Sequence, residues 1–337
     1  MKLPLIVRAA LLEEVERTPV WFMRQAGRSL PEYRLIRGKY DLFEICRQPE
    51  LCAEITLQPV VRHGVDAAVI YSDIMVPALG MGVGVRICEG VGPVIDQPIC
   101  DARDVQKLVV AEPEEVVPYV TEAIARVRSA LDPSCAVIGF AGGPFTVAGY
   151  LIEGRPSRTF TKTKRLMYDA SSLWHDLMSK LSSAFALYVS GQVRAGADVI
   201  QLFDSWAGFL SIADYEEFVA PYSAQILDAV DVPTVHFATG ASHLIESMTH
   251  VGGKVIRVDW RTPLDKAWLR VGYDRGIQGN LDPTVLLGPW DRVERETSAV
   301  LAAADGRPGH IFNLGHGVLP ETDPGVLTDL VAFIRDC

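Results

Sequence analysis

Two arginines near the N-terminus are the residues of this chain best suited to binding an anion. They flank Gly27 in the string Pro19-Val-Trp-Phe-Met-Arg-Gln-Ala-Gly-Arg28, where an apolar run ends directly at Arg24. Such a run indicates a buried strand, and a guanidinium at its end offers a planar fork of donors that matches carboxylate or phosphate. Gly27 permits a tight turn and a close approach to a ligand. The sequence therefore predicts an anion site here; two solvated arginines after an edge strand are the alternative.

The chain is acidic overall but basic around these arginines. Its formal net charge is −10, which repels a polyanion such as DNA and argues against nucleic-acid binding. Residues 21–47 reverse this balance, with six basic side chains against three acidic ones. One local cationic segment thus stands out in an acidic protein.

Composition predicts a soluble, globular, enzyme-sized protein. Hydrophobic residues make up 49% and charged residues 22% of 337 positions, enough to bury a large core. The six cysteines form no CxxC pair, which favours reduced thiols in the cytoplasm over a disulfide framework or a zinc site. No signal peptide is visible, and no apolar run reaches the roughly 18 residues of a membrane helix. We therefore expect a cytoplasmic protein without membrane association.

Short runs rich in Val, Ile and Phe recur along the chain and are typical of buried strands. They lie at residues 20–23, 67–71, 136–140, 199–203, 234–237, 255–258, 277–278 and 311–313. Segments with helical periodicity, such as 166–194 and 215–230, separate them, and this alternation indicates parallel βαβ units. Eight units in a chain of this length predict an α/β fold, a (β/α)8 TIM barrel. An open, doubly wound sheet is the alternative.

In such a barrel, functional side chains lie where strands end. The predicted strand ends carry polar residues repeatedly, namely Arg24, Arg28, Asp73, Tyr150, Asp204, Ser205, His236, Asp259, Asn280, Asp282 and His316. The connections after the first three strands are long. Long loops on this face predict a deep cleft for a bulky substrate.

Five segments resemble, in order, those of the uroporphyrinogen decarboxylase family. They are the string at 19–28, Tyr71-Ser-Asp-Ile74, Gly139-Phe-Ala-Gly-Gly-Pro-Phe-Thr-Val-Ala-Gly-Tyr-Leu-Ile-Glu-Gly154, Gln201-Leu-Phe-Asp-Ser205 and Asn313-Leu-Gly-His-Gly317. The family converts uroporphyrinogen III to coproporphyrinogen III in haem biosynthesis. The resemblance implies one (β/α)8-barrel domain over residues 1–337, a homodimer, and catalysis without metal or organic cofactor.

The resemblance also implies a substrate with four acetate and four propionate arms on a cyclic tetrapyrrole. Local arginines suit this anion because exposed charges act over only about 8 to 10 Å. Asp73 would accept hydrogen bonds from the pyrrole N–H groups and offset the cation of the intermediate; capping the next turn is the alternative. Arg24 and Arg28 would bind carboxylates. Arg24, nearest the reacting acetate, is also a candidate proton relay, although arginine is a poor general acid.

The loop between these arginines is implied to take part through its backbone. Gln25, Ala26 and Gly27 would donate N–H groups to substrate carboxylates. Arg37 would place another cation at the mouth of the site. Together these residues predict an anion-binding rim on one side of the macrocycle.

Four further site residues follow from the resemblance. Tyr150 and Ser205 would hydrogen-bond carboxylates, and Phe203 would pack on the macrocycle. From the residues alone, Tyr150 could be a packed surface residue and Ser205 a helix N-cap. The Gly-His-Gly context exposes His316, whose ordinary pKa suits a proton relay or a cation facing a propionate; we favour binding. Asp204 stands where some relatives carry Glu, a conservative difference.

Zinc-dependent corrinoid and thiol methyltransferases of the same superfamily are the rival class. Their His-x-Cys pair and distant Cys bind zinc, whereas this chain has His236-Phe-Ala238 and ends its last strand in Asn-Leu-Gly-His. The methyltransferase interpretation is therefore disfavoured. A non-catalytic tetrapyrrole-binding protein would lack Asp73 or the paired arginines, and this chain keeps them all.

Overall fold

The computed structural model describes residues 2–337, and its strands form a curled parallel sheet and a small hairpin. Their bounds are β1 (Ala67–Val69), β2 (Val85–Cys88), β3 (Gly92–Ile95), β4 (Ala136–Gly142), β5 (Val199–Phe203), β6 (Thr234–Phe237), β7 (Val255–Arg257), β8 (Gly276–Leu281) and β9 (His310–Leu314). Seven strands pair in parallel in the order β1-β4-β5-β6-β7-β8-β9, while β2 and β3 pair antiparallel. Parallel neighbours need crossover connections, which the helices supply.

Helices cover the outside of this sheet and fill the long connections. Their bounds are α1 (Leu5–Ala10), α2 (Pro31–Arg37), α3 (Leu42–Cys46), α4 (Pro49–His63), α5 (Val76–Gly80), α6 (Ala102–Lys107), α7 (Pro113–Val116), α8 (Pro118–Ala130), α9 (Pro144–Glu153), α10 (Thr161–Asp169), α11 (Ser171–Arg194), α12 (Ile212–Phe218), α13 (Ala220–Leu227), α14 (Ile245–Val251), α15 (Leu264–Val271), α16 (Trp290–Ala304) and α17 (Pro324–Asp336). Within residues 2–337, no helix has both the length and the apolar character needed to span a bilayer.

Two helices predicted as continuous are each divided in two. The predicted helix 166–194 breaks at Ala170, whose ψ of 54° is not helical. The predicted helix 215–230 breaks at Val219, and Pro221 in the first turn of α13 has no N–H to donate to the preceding turn. Hydrophobic spacing detects neither break, because it indicates which residues are buried and not where the helical backbone hydrogen bonds are interrupted.

The predicted strands at 199–203 and 234–237 are confirmed with both ends unchanged. Those at 67–71, 136–140, 255–258, 277–278 and 311–313 are confirmed with shifted ends. The hairpin of β2 and β3 is not among the predicted elements. It supports the end of α9, since the N–H of Ile95 donates to the carbonyl of Gly154 at 2.8 Å and that of Ile99 to the carbonyl of Leu151 at 2.9 Å.

The predicted first strand at 20–23 is not a regular strand of the sheet. An isolated parallel bridge joins Val20 to Phe312 of β9, and the Phe312 N–H donates to the carbonyl of Pro19 at 2.8 Å. On the other side the Asp66 N–H donates to the carbonyl of Val20 at 2.9 Å. The Val20 N–H, however, donates to the Asp66 carboxylate at 2.8 Å, and Pro19 has no N–H. The segment therefore keeps backbone bonds to β9, while a side-chain bond replaces part of the backbone pairing on the β1 side.

One row of side chains on the inside of the curl leads to the candidate site. The register pairs Phe203 with Phe237, Phe237 with Arg257, and Arg257 with Gln278. Directly paired residues of neighbouring strands point to the same face, and all four are buried. Phe203 and Phe237 pack edge to face with ring centroids 6.1 Å apart. The inside of the sheet is thus aromatic on β5 and β6 and polar on β7 and β8.

Candidate active site

Arg24 lies where the N-terminal segment leaves the sheet, in a backbone conformation that few residues other than glycine adopt. Its φ is 62°, in the left-handed region that costs an ordinary side chain energy. Its side chain crosses Gly317, where an added Cβ would lie 2.5 Å from the Arg24 Cδ. At Gly27 an added Cβ would lie 2.7 Å from the Arg24 carbonyl oxygen. A side chain at either glycine would collide with Arg24 in its present position, so both positions require glycine. The Arg24 side chain itself is exposed.

Gln25 holds this turn from within instead of offering its backbone to a ligand. Its N–H, which was predicted to serve a substrate, donates to the carbonyl of Phe22 at 3.0 Å and is already engaged within the turn. Its buried side chain accepts from the Phe22 N–H at 2.9 Å and donates to the carbonyl of Ala67 at 2.8 Å. The N–H groups of Ala26 and Gly27 have no partner within residues 2–337 and remain free to donate.

Asp73 follows β1 and turns the chain into α5. Its Oδ1 accepts the N–H of Met75 at 2.9 Å, so it does cap the next turn, as one sequence interpretation predicted. The capping bond leaves its second carboxylate oxygen for a ligand. Burial raises the pKa of Asp73 above its ordinary 3.8, against the opposing effects of the Met75 N–H and of Arg24.

Arg24, Asp73 and Tyr150 are electrostatic neighbours. Burial is the largest influence on Arg24 and lowers its pKa; the Arg28 charge adds to this effect, while Asp73 and Tyr150 oppose it. Burial also raises the pKa of the Tyr150 hydroxyl, with a further contribution from Asp73. Three residues far apart in sequence therefore lie within electrostatic range of one another, at a site where Asp73 and Tyr150 are partly buried and Arg24 is exposed.

The aromatic and hydroxyl residues of the site come from α9 and the end of β5. Tyr150 packs against Trp206 with ring centroids 4.2 Å apart. Ser205, beside Trp206, is half-buried. Phe203 is buried between Phe140, at 5.4 Å between centroids, and the β6 phenylalanine of the inner row. The loop after β5 thus brings an apolar surface and a hydroxyl to the side of the site that holds Tyr150.

Asp204 supports this loop and does not face the site. It is fully buried and accepts the N–H of Thr146 at 2.9 Å and its hydroxyl at 2.6 Å. Thr146 lies in the first turn of α9, so this carboxylate caps that helix from a neighbouring strand. Burial raises the pKa of Asp204 to about 6. Its role of holding α9, and with it Tyr150, was not visible in the sequence.

His316 is a neutral imidazole at neutral pH in this structure. It is half-buried after β9, and its pKa is lowered from 6.5 to about 4. Burial is the largest cause, and the charges that act after it are those of Arg24, Arg257 and Arg261, opposed by Asp259. The two functions predicted for this residue are a proton relay and a cation facing a propionate. A neutral ring does not supply that cation, but it can still bind a carboxylate arm through a hydrogen bond.

Arg28 and Arg37 form the outer part of the cationic segment. Arg28 is exposed and close enough to lower the pKa of Arg24. Arg37 is half-buried, donates to the carbonyl of Tyr40 at 2.5 Å, and influences the pKa of Tyr71, two residues before Asp73. Arg37 therefore lies on the Asp73 side of the site with part of its fork already engaged.

Sequence reasoning missed two arginines next to the His316 loop. Arg261 is bound to Asp259 at 2.7 Å and stacks on Trp260, 4.2 Å from the ring centroid. Trp260 packs on Gly315, where an added Cβ would lie 2.9 Å from the indole. The strand-end position of Asp259 was noted, but not its arginine partner. Arg257, at the end of β7, is the second; only the sheet register shows that it points inward.

The part of the chain that the structure describes contains no ligand set for the zinc ion of the rival interpretation. No three His, Cys, Asp or Glu side chains of residues 2–337 converge as a metal-binding group. His236 is fully buried, with its Nε2 3.5 Å from the Tyr215 hydroxyl, and Ala238 occupies the position where a cysteine would be needed.

Cations around a desolvated carboxylate, at the end of parallel strands, define an α/β enzyme whose site suits a substrate with several carboxylates. All 337 residues match the family model described as uroporphyrinogen decarboxylase (URO-D), and the chain belongs to that family. A uroporphyrinogen decarboxylase of Salinispora tropica is 53% identical over 333 residues, covering 98% of this chain and 89% of the relative. One of Sorangium cellulosum is 51% identical over 332 residues, covering 98% and 95%.

Solved structures with a similar fold include a methyltransferase and a methionine synthase. A methyltransferase from Methanosarcina mazei superposes with a TM-score of 0.83 at 23% identity, covering 99% of both chains. A B12-independent methionine synthase from Shewanella sp. W3-18-1 reaches 0.59 at 9% identity, covering 86% of both. At these identities the likeness extends to the fold alone, and it is consistent with a TIM-barrel-like sheet.

Proposed function

We propose that this chain removes the four acetate carboxyl groups of uroporphyrinogen III as CO2, leaving methyl groups and giving coproporphyrinogen III. This is the activity named for its relatives and a step of porphyrin and haem synthesis. The observation that carries the assignment is the desolvated Asp73 beside Arg24 and Tyr150. Asp73 supplies an anion for the pyrrole N–H groups of the macrocycle. Arg24, beside it, supplies a cation for a substrate carboxylate.

The substrate itself can accept the electrons of decarboxylation. Protonation of the pyrrole carbon next to an acetate arm gives a cationic ring. The C–C bond to the carboxylate then breaks, its electron pair neutralises the ring, and CO2 leaves an exocyclic methylene. A proton on that methylene gives a methyl group, and loss of the added ring proton restores the pyrrole. One proton is consumed for each CO2 released.

Asp73 stabilises the cationic steps of this sequence. Its free carboxylate oxygen accepts hydrogen bonds from pyrrole N–H groups, and its negative charge offsets the ring cation once the bound macrocycle displaces water from the site. The pKa of Asp73 is raised in the unliganded site. Bound N–H donors lower it again, because hydrogen bonds to a carboxylate favour its ionised form.

The surrounding donors hold the carboxylate arms. Arg24 binds the reacting acetate through two parallel N–H bonds, and Arg28 and Arg37 bind arms nearer the mouth. The free N–H groups of Ala26 and Gly27 complete this rim.

Hydroxyl, aromatic and imidazole groups provide the other contacts to the macrocycle. Tyr150 and Ser205 donate to carboxylates, and Phe203 packs on the ring. Neutral His316 donates one hydrogen bond to an arm and can pass on a proton without a change in its resting charge. No step in this scheme uses a metal or an organic cofactor.

Finer structural features belong to the same proposal. We propose that the segment at 20–23 closes the curled sheet as an irregular eighth strand of a single-domain (β/α)8 barrel, supported by its bonds to Phe312 on one side and Asp66 on the other. We also expect a cytoplasmic homodimer, as implied by the family resemblance. Sedimentation at micromolar concentration would test the dimer; a monomer mass would contradict it.

Anaerobic incubation of the purified chain with uroporphyrinogen III tests the function directly. Chromatography of the oxidised products should show stepwise loss of carboxyl groups ending at coproporphyrin, with EDTA present and nothing added. No loss of carboxyl groups would contradict the proposal. Activity that EDTA abolishes and zinc restores would favour metal chemistry of the methyltransferase kind.

A further inference from the structure

Arg257 is a buried cation without an anionic partner. Its side chain is 1% exposed, and no carboxylate of residues 2–337 forms a salt bridge with it. Its Nε and Nη1 atoms find no hydrogen-bond partner in this described part of the chain. Charges are rarely buried unpaired, because their lost hydration is not recovered. A residue of this kind in the inner row of the sheet calls for an explanation beyond packing.

The guanidinium is held by aromatic faces and by two acceptors at the end of β9. It lies 4.3 Å from the Phe237 ring centroid and 5.5 Å from that of Trp21, distances at which a ring attracts a cation. Its Nη2 donates to the carbonyl of Leu314 at 2.9 Å and to Oδ1 of Asn313 at 3.3 Å. One side chain on β7 thus contacts the N-terminal segment, β6 and β9.

These contacts converge on the two segments that present site residues. Asn313 Oδ1 also accepts the N–H of Met23 at 3.2 Å, directly before Arg24. Leu314 lies two positions before His316. A shift of Arg257 would therefore move the acceptor that fixes the Met23 backbone and the strand end that leads to the imidazole.

We propose that Arg257 is a positioning residue of the decarboxylation site, which locks the segment carrying Arg24 to the segment carrying His316. The proposal rests on the proposed function for its activity measurements. Arg257 does not touch the substrate; it acts through Asn313, Leu314 and Trp21.

The charge of Arg257 adds an electrostatic effect to this link. Burial lowers the pKa of Arg257 to about 9, so it remains protonated at neutral pH and disfavours protonation of His316. The other influences on His316 are burial, Arg24 and Arg261, and, in the opposite direction, Asp259. Removal of Arg257 therefore raises the pKa of His316 part of the way towards 6.5, since the other influences remain.

Arg257→Met and Arg257→Lys separate the mechanical link from the charge. Methionine fills similar space without charge or donors; lysine keeps the charge but cannot donate to both acceptors from a planar fork. We expect Arg257→Met to keep or raise the melting temperature, because an unpaired buried charge is removed, while kcat/KM falls roughly tenfold or more and the NMR titration midpoint of His316 rises. Arg257→Lys should lose activity but keep the His316 midpoint close to its original value.

The control is Arg8→Met, which removes another buried arginine, one paired with Glu13 and Glu16. It should lower the melting temperature and leave the His316 midpoint in place. A folded Arg257→Met variant with unchanged kcat/KM and unchanged His316 midpoint would overturn the proposal. If that variant does not fold, Arg257→Lys is the deciding variant. Unchanged activity of Arg257→Lys, or its failure to fold, would count against the proposal. If the wild type decarboxylates nothing, the proposed function fails, while the His316 midpoints still test the link.

Discussion

Asp204 at the end of β5 accepts both the backbone N–H and the hydroxyl of Thr146, at 2.9 Å and 2.6 Å, and so fixes the first turn of α9 to a neighbouring strand. The second oxygen of this carboxylate has no partner within residues 2–337. The helix that presents Tyr150 is therefore aligned by a carboxyl group whose pKa is raised by burial.

This arrangement predicts that Asp204→Asn stabilises the protein at alkaline pH. The folded pKa of Asp204 is about 6, against 3.8 for the ordinary group, so its contribution to stability is present below pH 3.8 and is lost as pH rises through 6. The lost contribution amounts to about 3 kcal/mol. Asparagine keeps the acceptor for Thr146 without the charge. Melting temperatures at pH 5 and pH 8 should show the variant gaining on the wild type at pH 8; a lower value there would contradict the expectation.

Asp73→Asn should abolish most decarboxylation while leaving the fold intact. The amide oxygen can still accept the Met75 N–H, but the negative charge that offsets the ring cation is gone. Loss of one preorganised electrostatic group costs about 100-fold or more in kcat. The comparison is the rate of coproporphyrinogen formation at saturating substrate, with the melting temperature checked in parallel. A variant within a few-fold of the wild type would remove Asp73 from its assigned role.

Gly317→Ala tests whether the placement of Arg24 matters, without touching the arginine. The new methyl group would lie 2.5 Å from the Arg24 Cδ, and the flexible side chain must move aside. We expect kcat/KM to fall roughly 10- to 100-fold, mostly through KM, with little change in stability. Gly38→Ala is the matched control, since its added Cβ meets nothing closer than 3.5 Å.

Arg24→Lys should reproduce the loss seen in Gly317→Ala, because an ammonium group cannot form the paired bonds of a guanidinium. Michaelis constants measured side by side would connect the two variants. Full activity in Gly317→Ala, with Arg24→Lys impaired, would show that the guanidinium group matters and that its present orientation does not.

His316 should titrate far below neutrality. Its pKa is about 4 in the folded chain against 6.5 ordinarily, so the neutral ring is favoured by folding, and that contribution to stability is lost as pH falls from 6.5 through 4. The rate should therefore show no acid limb from this residue between pH 6 and 8. The Cε1–H resonance, assigned with His316→Gln, gives the midpoint directly. A midpoint at 6 or above would contradict the assignment of a neutral ring.

The sequence predicts features of the site that depend on neighbouring residues in the chain, and it fails for features that depend on packing between distant elements. Strand ends and motif order placed Arg24, Asp73 and Tyr150 at one edge of the sheet, and the structure brings these three together. The support from Asp204 escaped prediction because it depends on packing between β5 and α9. The inward direction of Arg257 escaped because an arginine at a strand end ordinarily points to solvent, and only the register with Phe237 and Gln278 reverses that expectation.

The segment at 20–23 departs from the predicted regular strand for a similar reason. Apolar character correctly indicates burial, but hydrogen bonds decide whether an extended segment is a strand. Here Pro19 lacks a donor, and the carboxylate of Asp66 takes the N–H of Val20. No pattern of apolar residues contains that information.

The left-handed backbone of Arg24 has a consequence for the selectivity of recognition. A guanidinium on a relaxed loop would sample many orientations and lose that freedom each time a ligand bound. Here the φ of 62° fixes the backbone direction from which the side chain leaves, and Gly317 gives that side chain a surface to lie against, so part of the loss of freedom occurs during folding. Anions that suit this direction then bind at a smaller entropic cost than anions that require the guanidinium to swing away.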